Sequence, residues 1–462
     1  MYPVTEKLAQ FSSALRFEDL PAEVSKRASL LFMDLLGIII RSQTLDSTLA
    51  LEQGLRDLGL SGGICRVPGN TDMWTPFGAA LLGAAAAHSL DFDDTHAKSL
   101  LHPGAPVIPA ALAAAQMVGA TTRELLAGIV AGYEVMIRVA YGVNPTKHSE
   151  RGFHLTATTG VFGAVAAAGN ILKLTPEQMG HAFGTALSES AGTGQFSVNG
   201  AWTKRFHVGH ASAGGLMAAV LARSNYTGAT QAFEGREGFF NAYSPEPNPA
   251  AALAGLGEVW EIMSSGVKPY PCCRGIHAPL DAVFNLLSKH QIDVRNIETV
   301  RVGMADRSVA VVGNPQERKR NPRNVVDCQF STHFCVAAAL VTGTFGWDSY
   351  EAGLKNGTIR ALMQRVDVFE DEECNRNFPG AFSAVVEIHD KNGDVLREFV
   401  YEPKGEPTTM FSNEELRAKF TLLVTERLGA DNEKALFEAI HNMAQDKKVG
   451  ALLDATKPVI SH

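Results

Sequence analysis

The chain has 462 residues, 45% of them hydrophobic and 19% charged, which suits a large buried core and two or three structural units. Its formal net charge of -8 argues against a nucleic acid or an anionic membrane as partner, because either would require a basic face. The first residues lack the basic and then apolar pattern of a secretory signal, and Pro, Gly or polar residues interrupt every long apolar stretch. We therefore expect a cytoplasmic protein.

The six cysteines have neither the spacing of a metal centre nor that of a disulfide framework. They lie at positions 65, 272, 273, 328, 335 and 374, without a Cys-X-X-Cys pair. A zinc ion held by Cys272, Cys273 and His277 is disfavoured, because adjacent cysteines rarely provide tetrahedral geometry. We expect neither an iron–sulfur cluster nor structural zinc.

The first 260 residues read as closely packed helices. The stretch from Leu30 to Ile40 is too densely apolar for a helix with one solvated face, so it predicts a buried central helix. Further helices are predicted where Ala and Gly are frequent, over residues 78–87, 107–120, 125–139, 160–172 and 210–222. Thr175-Pro-Glu-Gln178 has the spacing of a capping box, and a similar start stands at Thr121.

The pattern changes after about residue 263. Residues 297–302 are β-rich, and the apolar runs 384–389 and 395–401 flank Asn392-Gly393, a strong hairpin signal. This second unit therefore contains strands.

Helical patterns continue between and after these strands. Residues 327–342 and 350–360 read as helices, so the second unit is α+β. The last 50 residues, from Ser412, return to helix and can pack back on the first bundle. The predicted fold is mainly α: a large all-helical bundle domain and a smaller α+β domain.

One stretch, His88-Ser-Leu-Asp-Phe-Asp-Asp-Thr-His96, holds three aspartates and two histidines directly after an Ala-rich run. A carboxylate near a core must be paired, hydrogen-bonded or used in chemistry, so this density predicts a wall of an active site. If the preceding helix continues, His88, Asp91 and Thr95 lie on one helix face. The alternative is that His88 and His102, which precedes Pro-Gly, are structural histidines beside a helix C-terminal turn.

Two further clusters stand at predicted helix starts. His154 precedes a Thr-rich start, where hydroxyls and free backbone N–H groups suit an anion; the alternative is an N-cap turn. The stretch from Trp202 to His210 includes Lys204 and His207. A basic run is usually a solvated face, but the aromatic residues within this one favour partial burial.

A fourth cluster opens the second unit, in Lys268-Pro-Tyr-Pro-Cys-Cys-Arg274. The prolines fix the backbone while Lys268 and Arg274 project from it. Both cations are candidates to hold the negative charge of a substrate.

Together the four clusters resemble the MmgE/PrpD family of cofactor-free lyases and isomerases, over nearly the whole chain. The motifs that carry the resemblance are Asp91-Phe-Asp-Asp-Thr95, His102-Pro-Gly, Gly152-Phe-His154 with Thr156-Ala-Thr158, Thr203-Lys-Arg-Phe-His207, Lys268-Pro-Tyr-Pro-Cys-Cys and Gln329-Phe-Ser331. The resemblance implies an all-helical domain from residues 1–263 with 405–462, and an inserted α+β lid domain from residues 264–404. It also implies a homodimer and an active site in the cleft.

Within that family, active-site residues match positions Asp91, Thr95, His102, His154 and Lys204. We assign catalysis to Asp91, His102, His154 and Lys204, and substrate binding to Thr95, Lys268, Arg274, His207 and Cys273. His102 and His154 are the proton-transfer candidates, and Asp91 orients a histidine or takes the proton itself. We expect no metal and no cofactor, and Asp93, Asp94 and His96 to hold the turn.

Departures from the family pattern bear on the substrate. Decarboxylase members carry a histidine where Cys273 stands and a tyrosine where Phe334 stands, which disfavours an itaconate-forming reaction. The leading hypothesis is therefore a hydro-lyase, similar to 2-methylcitrate dehydratase, acting on a small di- or tricarboxylate by acid–base chemistry.

Four alternatives remain open from the sequence. An epimerase of a small polycarboxylate, similar to iminodisuccinate epimerase, needs an acid and a base on opposite faces of one carbon. A decarboxylase similar to cis-aconitate decarboxylase is a further possibility within the family. Outside it stand a magnesium-dependent helical enzyme acting on a diphosphate, through the aspartate-rich motif, and a helical interaction protein without activity.

Overall fold

The structure, a computed structural model, describes residues 2–459 and contains two hydrophobic cores. The larger core is built by both ends of the chain, and the smaller one lies within residues 272–400. The predicted mainly α composition with a smaller β-containing part is confirmed. The domain bounds and the role of the smaller part as an inserted lid stay predictions.

The larger core is a bundle of helices that confirms each helical run predicted before residue 260. Its α-helices up to that point are Val4–Ala14, Ala22–Arg41, Asp46–Asp57, Pro76–Ala87, Gly104–Val118, Thr122–Val143, Pro145–Glu150, Leu155–Ile171, Pro176–Ala186, Thr203–Arg223 and Phe239–Tyr243. Leu155–Ile171 is completely buried at the centre. Close packing there depends on glycine, since a Cβ at Gly132 would lie 2.9 Å from the carbonyl oxygen of Gly163.

One helix, Thr122–Val143, is long and apolar enough to cross a membrane, and its most apolar window is entirely buried inside the protein. It carries Glu134 and Arg138, whose side chains are buried and lie 3.2 Å apart. Residues 22–44 and 46–57 are together long and apolar enough as well, but these two helical segments meet at an angle of 81°. Thr122–Val143 is therefore a core helix of this fold.

The smaller core surrounds a four-stranded mixed sheet. Its strands, in spatial order, are Val366–Glu370, Ile297–Met304, Ala384–Asp390 and Val395–Val400. The first pair is parallel and the others are antiparallel, which confirms the predicted hairpin. The helices of this part are His277–Lys289, Asp306–Ser308, Gln316–Lys319, Val325–Gln329, Thr332–Thr342, Ser349–Lys355, Gly357–Met363 and Glu372–Asn377.

Each of the two helices predicted in this part is broken into two. The first is interrupted at Ser331, whose side chain accepts a hydrogen bond from the Phe334 N–H and so starts a new helix. The second is interrupted at Asn356, which caps Thr358 and Ile359 in the same way. Side-chain caps compete with continuation of the helix, and apolar periodicity does not reveal them.

The end of the chain returns to the larger core, as the sequence indicated. Asn413–His441 begins at a capping box on Ser412, and a last helix covers Val449–Asp454. Buried Lys419 lies 2.6 Å from buried Asp34, which joins the two ends of the chain.

Candidate active site

One cavity of about 570 Å³ gathers nearly all of the predicted site residues. Its walls come from residues on both sides of position 270. Eight of the nine predicted residues line it: Asp91, Thr95, His102, His154, Lys204, Lys268, Cys273 and Arg274. The ninth, His207, lies behind His154 and is not a lining residue.

The aspartate-rich motif is a loop, because the preceding helix ends just before His88. The expectation that His88, Asp91 and Thr95 share one helix face is therefore wrong. Asp91 has a φ of 52°, in the left-handed region that a short polar side chain tolerates and that a right-handed helix cannot contain. Gln329 Nε2 fixes the loop by donating to the Leu90 carbonyl at 2.7 Å.

A two-residue strand, Thr95–His96, pairs with Ser265–Gly266 and brings the loop next to Lys268. Lys268 Nζ lies 3.0 Å from Asp91 Oδ1 and 2.9 Å from the Asp91 carbonyl oxygen. Lys204 Nζ lies 2.9 Å from the same Oδ1. Two ammonium groups therefore share one carboxylate.

This charge arrangement leaves the site positive. Burial alone would raise the pKa of Asp91, but Lys204 and Lys268 outweigh it and hold that pKa well below its usual range. Within residues 2–459, Asp91 Oδ2 and Thr95 Oγ1 are buried and have no hydrogen-bond partner. These unpaired polar atoms and the excess cation form a wall suited to an anionic, hydroxylated ligand.

His102 is held through Nδ1, which lies 2.9 Å from the carbonyl oxygen of Asp94. A carbonyl oxygen only accepts, so Nδ1 carries the proton and Nε2 is left as a free base. Burial lowers the pKa of His102 to about 3, against the opposing effect of Asp93. The imidazole is therefore neutral near pH 7, with Nε2 as its unprotonated nitrogen.

Asp94 holds the turn, as expected. Its carboxyl contacts the Tyr133 hydroxyl at 3.0 Å and accepts from the Gly104 N–H at 3.1 Å. Position 104 requires glycine, since a Cβ there would lie 2.4 Å from Asp94 Oδ1. Burial and the adjacent Asp93 raise the pKa of Asp94 to about 8, so this carboxyl is mostly protonated at neutral pH.

Asp93 lies between two imidazoles. Its Oδ2 is 2.7 Å from His88 Nδ1 and 3.6 Å from His102 Nδ1. Within residues 2–459, these three groups form the cluster close enough to hold a metal ion. The proton on His102 Nδ1 prevents that nitrogen from acting as a ligand in this arrangement. The absence of a metal stays a prediction.

His154 stands at the N-terminus of the Leu155–Ile171 helix and faces the cavity. Burial, followed by the neighbouring His88 and Lys204, holds the pKa of His154 well below its usual range. Its Nδ1 lies 3.4 Å from His207 Nδ1. His207 is thus a neighbour of a candidate catalytic group.

Two predicted binding residues have distinct surroundings. Arg274 lines the cavity, but its guanidinium donates to Glu406 and to His277 Nδ1, so its charge is already paired. Cys273 also lines the cavity, and burial raises the pKa of its thiol. It presents a neutral thiol to the cavity.

Part of the cavity wall consists of residues that no sequence motif indicated, including Arg307, Arg318 and Lys319. Lys319 Nζ donates to the carbonyl oxygens of Val311 and Phe330, and burial lowers its pKa to about 8. Lys319 sits in the run Gln-Glu-Arg-Lys-Arg, which reads as a solvated surface. In the sequence, the one indication that Lys319 belongs to the site was a cluster of cations in an acidic chain.

Comparison with protein families decides the assignment. The model of the MmgE/PrpD N-terminal domain matches residues 6–252, and that of the C-terminal domain matches residues 270–445. The chain belongs to the MmgE/PrpD family. The resemblance inferred from the motifs is thereby confirmed.

Among its characterised relatives are several decarboxylases. The cis-aconitate decarboxylase of Aspergillus terreus is 25% identical over 450 residues, which cover 91% of this chain and 89% of that protein. The cis-aconitate decarboxylase-like protein oryM of Aspergillus oryzae is 25% identical over 474 residues, covering 97% and 96%. Human cis-aconitate decarboxylase is 25% identical over 453 residues, covering 95% and 92%. These names place the chain among lyase-type relatives.

The surroundings of Phe334 and of the aspartates bear on the class of substrate. Phe334 is completely buried and stacks on Tyr350 in the smaller core, so of the two departures from the family pattern only Cys273 lies at the cavity.

The aspartates do not suit a magnesium diphosphate site. Asp91 is paired with two ammonium groups and Asp94 is mostly protonated, whereas such a site needs free carboxylates.

Proposed function

We propose that this MmgE/PrpD protein is a lyase that dehydrates a small di- or tricarboxylate with its own side chains as acid and base. The observation that carries the proposal is a neutral, oriented His102 in the same cavity as a cation-rich wall. Dehydration requires both features, because a weakly acidic C–H proton is removed next to a carboxylate whose charge must be held.

Substrate binding is assigned to the lysine wall. Lys204 and Lys268 bring two positive charges against the single carboxylate of Asp91, so a substrate carboxylate finds an uncompensated cation. The free hydroxyl of Thr95 supplies a hydrogen bond. Arg274 contributes less than the sequence suggested, since Glu406 neutralises it.

The chemical steps require a neutral His102 and a protonated His154 in the complex with substrate. His102 Nε2 takes the proton from the carbon next to a carboxylate, the C=C bond forms, and the C–O bond breaks. The leaving hydroxide takes a proton from protonated His154 and departs as water. Substrate carboxylates favour that protonated form, because negative charge in the cavity raises a histidine pKa.

Decarboxylation of cis-aconitate is the second candidate, and the names of the relatives favour it. In that reaction the bond to a carboxylate breaks, carbon dioxide leaves, and the carbanion takes one proton. It needs a proton donor and no base. The basic Nε2 of His102 and the replacement of a histidine by Cys273 make it the lesser candidate.

A substrate panel distinguishes these reactions. The purified chain is incubated with citrate, 2-methylcitrate and cis-aconitate, while alkene absorbance, carbon dioxide and deuterium uptake from deuterated water are measured. New alkene from a hydroxy acid supports the proposal. Carbon dioxide from cis-aconitate alone would replace it with the decarboxylase, and deuterium exchange with inversion and no alkene would indicate an epimerase.

A further inference from the structure

We propose that His207 is a proton-transfer residue that connects His154, on the cavity wall, with solvent. The inference rests on the proposed function only in that His154 gains or loses a proton during turnover. It changes the role of His207 from substrate binding, expected from the sequence, to relay.

The contact between the two rings carries the inference. Their Nδ1 atoms lie 3.4 Å apart, and the ring centroids are 5.6 Å apart. Within the described residues, the His154 ring forms one side-chain hydrogen bond, and its partner is His207. Two neutral imidazoles at this distance share one proton, donated by one Nδ1 and accepted by the other.

Position and packing fit a relay. His154 lines the cavity, whereas His207 lies outside it and is half-buried, so the pair leads from the site toward solvent. The ring of Phe196 lies 5.7 Å from His154 and 6.2 Å from His207 and restricts both. On the other side, a Cβ at Gly192 would lie 3.2 Å from His207 Cγ.

The proton balance gives the relay a task. After dehydration, His102 holds the proton taken from carbon and must release it to solvent, whereas His154 has given a proton to hydroxide and must regain one. His207 takes a proton from solvent on Nε2 and passes its Nδ1 proton to His154, and a ring flip or tautomer exchange then resets it. Decarboxylation consumes one solvent proton per turnover, so the same path serves the second candidate reaction. Burial lowers the pKa of both histidines, so neither keeps the proton once the charge of the substrate has left the cavity.

Chemical rescue tests the transfer. In dilute, bulky buffer we expect His207→Gln to lower kcat by about tenfold to a hundredfold with KM within about twofold. Added imidazole should restore most of the lost kcat, because a small base can carry the proton in place of the ring. Wild-type kcat should not respond to imidazole.

His210→Gln is the matched control, one helical turn away on the same helix. His210 stacks on Phe206 and lies 3.4 Å from Glu189, so its loss should leave kcat unchanged. Unchanged kcat in His207→Gln, or a loss that imidazole does not restore, would overturn the relay.

A second measurement does not depend on activity. Nitrogen-15 spectra of histidine-labelled protein should show one protonated and one bare Nδ1 in this pair, and the His154 Nδ1 signal should shift when His207→Gln removes its partner. Two bare Nδ1 atoms would overturn the relay even if the substrate panel succeeds. An inactive panel with the expected tautomers would instead contradict the proposed function alone.

Discussion

At the residue scale, the candidate site depends on charges that neutralise each other incompletely. Asp91, Lys204 and Lys268 come from three separate segments and meet at one carboxylate oxygen. The motifs identified all three, because cations and carboxylates beside apolar runs are costly unless they are paired or functional. The pairing itself, with two cations on one anion, required the structure.

Lys268→Met should test that pairing through stability. The change leaves buried Asp91 with one cation, so we expect a loss of about 3 kcal/mol at pH 7. A carboxyl with a depressed pKa stabilises the fold above its unfolded pKa and loses this contribution on acidification. The deficit should therefore stay nearly constant down to about pH 4 and shrink below it, which urea unfolding at pH 7 and at pH 3 measures.

Exposed Lys289, which pairs with Glu398 on the smaller part, is the control. Lys289→Met should cost less than about 1 kcal/mol at either pH. Equal losses for the two lysine variants would contradict the charge arrangement at Asp91.

Asp94→Asn tests the raised pKa of the Asp94 carboxyl, in the residue whose backbone carbonyl holds His102. A raised carboxyl pKa means that the folded state holds a proton that the unfolded state releases above about pH 4, so this group makes the wild type less stable as pH rises toward 8. The asparagine does not titrate. We expect the variant to gain about 1 kcal/mol per pH unit relative to wild type between pH 5 and 8, measured by thermal or urea unfolding. Parallel pH profiles would contradict a raised Asp94 pKa.

At the element scale, helix starts were readable and loop geometry was not. The capping boxes at Thr121, Thr175 and Ser412 form as local sequence dictates, because each satisfies backbone N–H groups within four residues. The Asp91 loop depends on contacts with residues distant in sequence. The break at Ser331 depends on the geometry of a side-chain cap. Periodicity therefore predicted the helical segments correctly and joined two pairs of helices into single helices.

Position 405 offers a test of how the segments that flank the smaller core are joined. Gly405 has a φ of 87°, and a Cβ there would lie 1.9 Å from the carbonyl oxygen of Val267. Gly405→Ala should cost at least about 3 kcal/mol, because it combines backbone strain with a clash.

The hairpin glycine is its control. Gly393 has a φ of 91° and open space around the missing Cβ, so Gly393→Ala should cost only about 1 kcal/mol. Similar costs for both variants, measured by denaturant unfolding, would contradict close approach at Gly405.

At the scale of the whole molecule, the chain's two ends build one core. The Asn413–His441 helix packs on Ala22–Arg41 through the Asp34–Lys419 pair. The helical pattern after Ser412 predicted this return. It did not predict the buried ion pair, because the sequence around Asp34 and Lys419 does not distinguish them from charged residues at the surface.

Lys419→Met should cost about 3 to 5 kcal/mol, since it leaves the Asp34 carboxylate buried and unpaired. The double variant Asp34→Leu with Lys419→Met removes both charges and should recover at least half of that loss. Denaturant unfolding of the single and double variants measures the coupling. Additive losses would show that the ends are not joined by this pair.

The most direct test of the proposed chemistry is the rate of alkene formation from the best hydroxy acid of the panel, compared between wild type and His102→Gln. Glutamine retains a hydrogen bond to the Asp94 carbonyl and lacks a basic nitrogen. We expect kcat to fall by about a thousandfold with KM nearly unchanged. A variant that retains kcat within about threefold would contradict the assignment of His102 as the base.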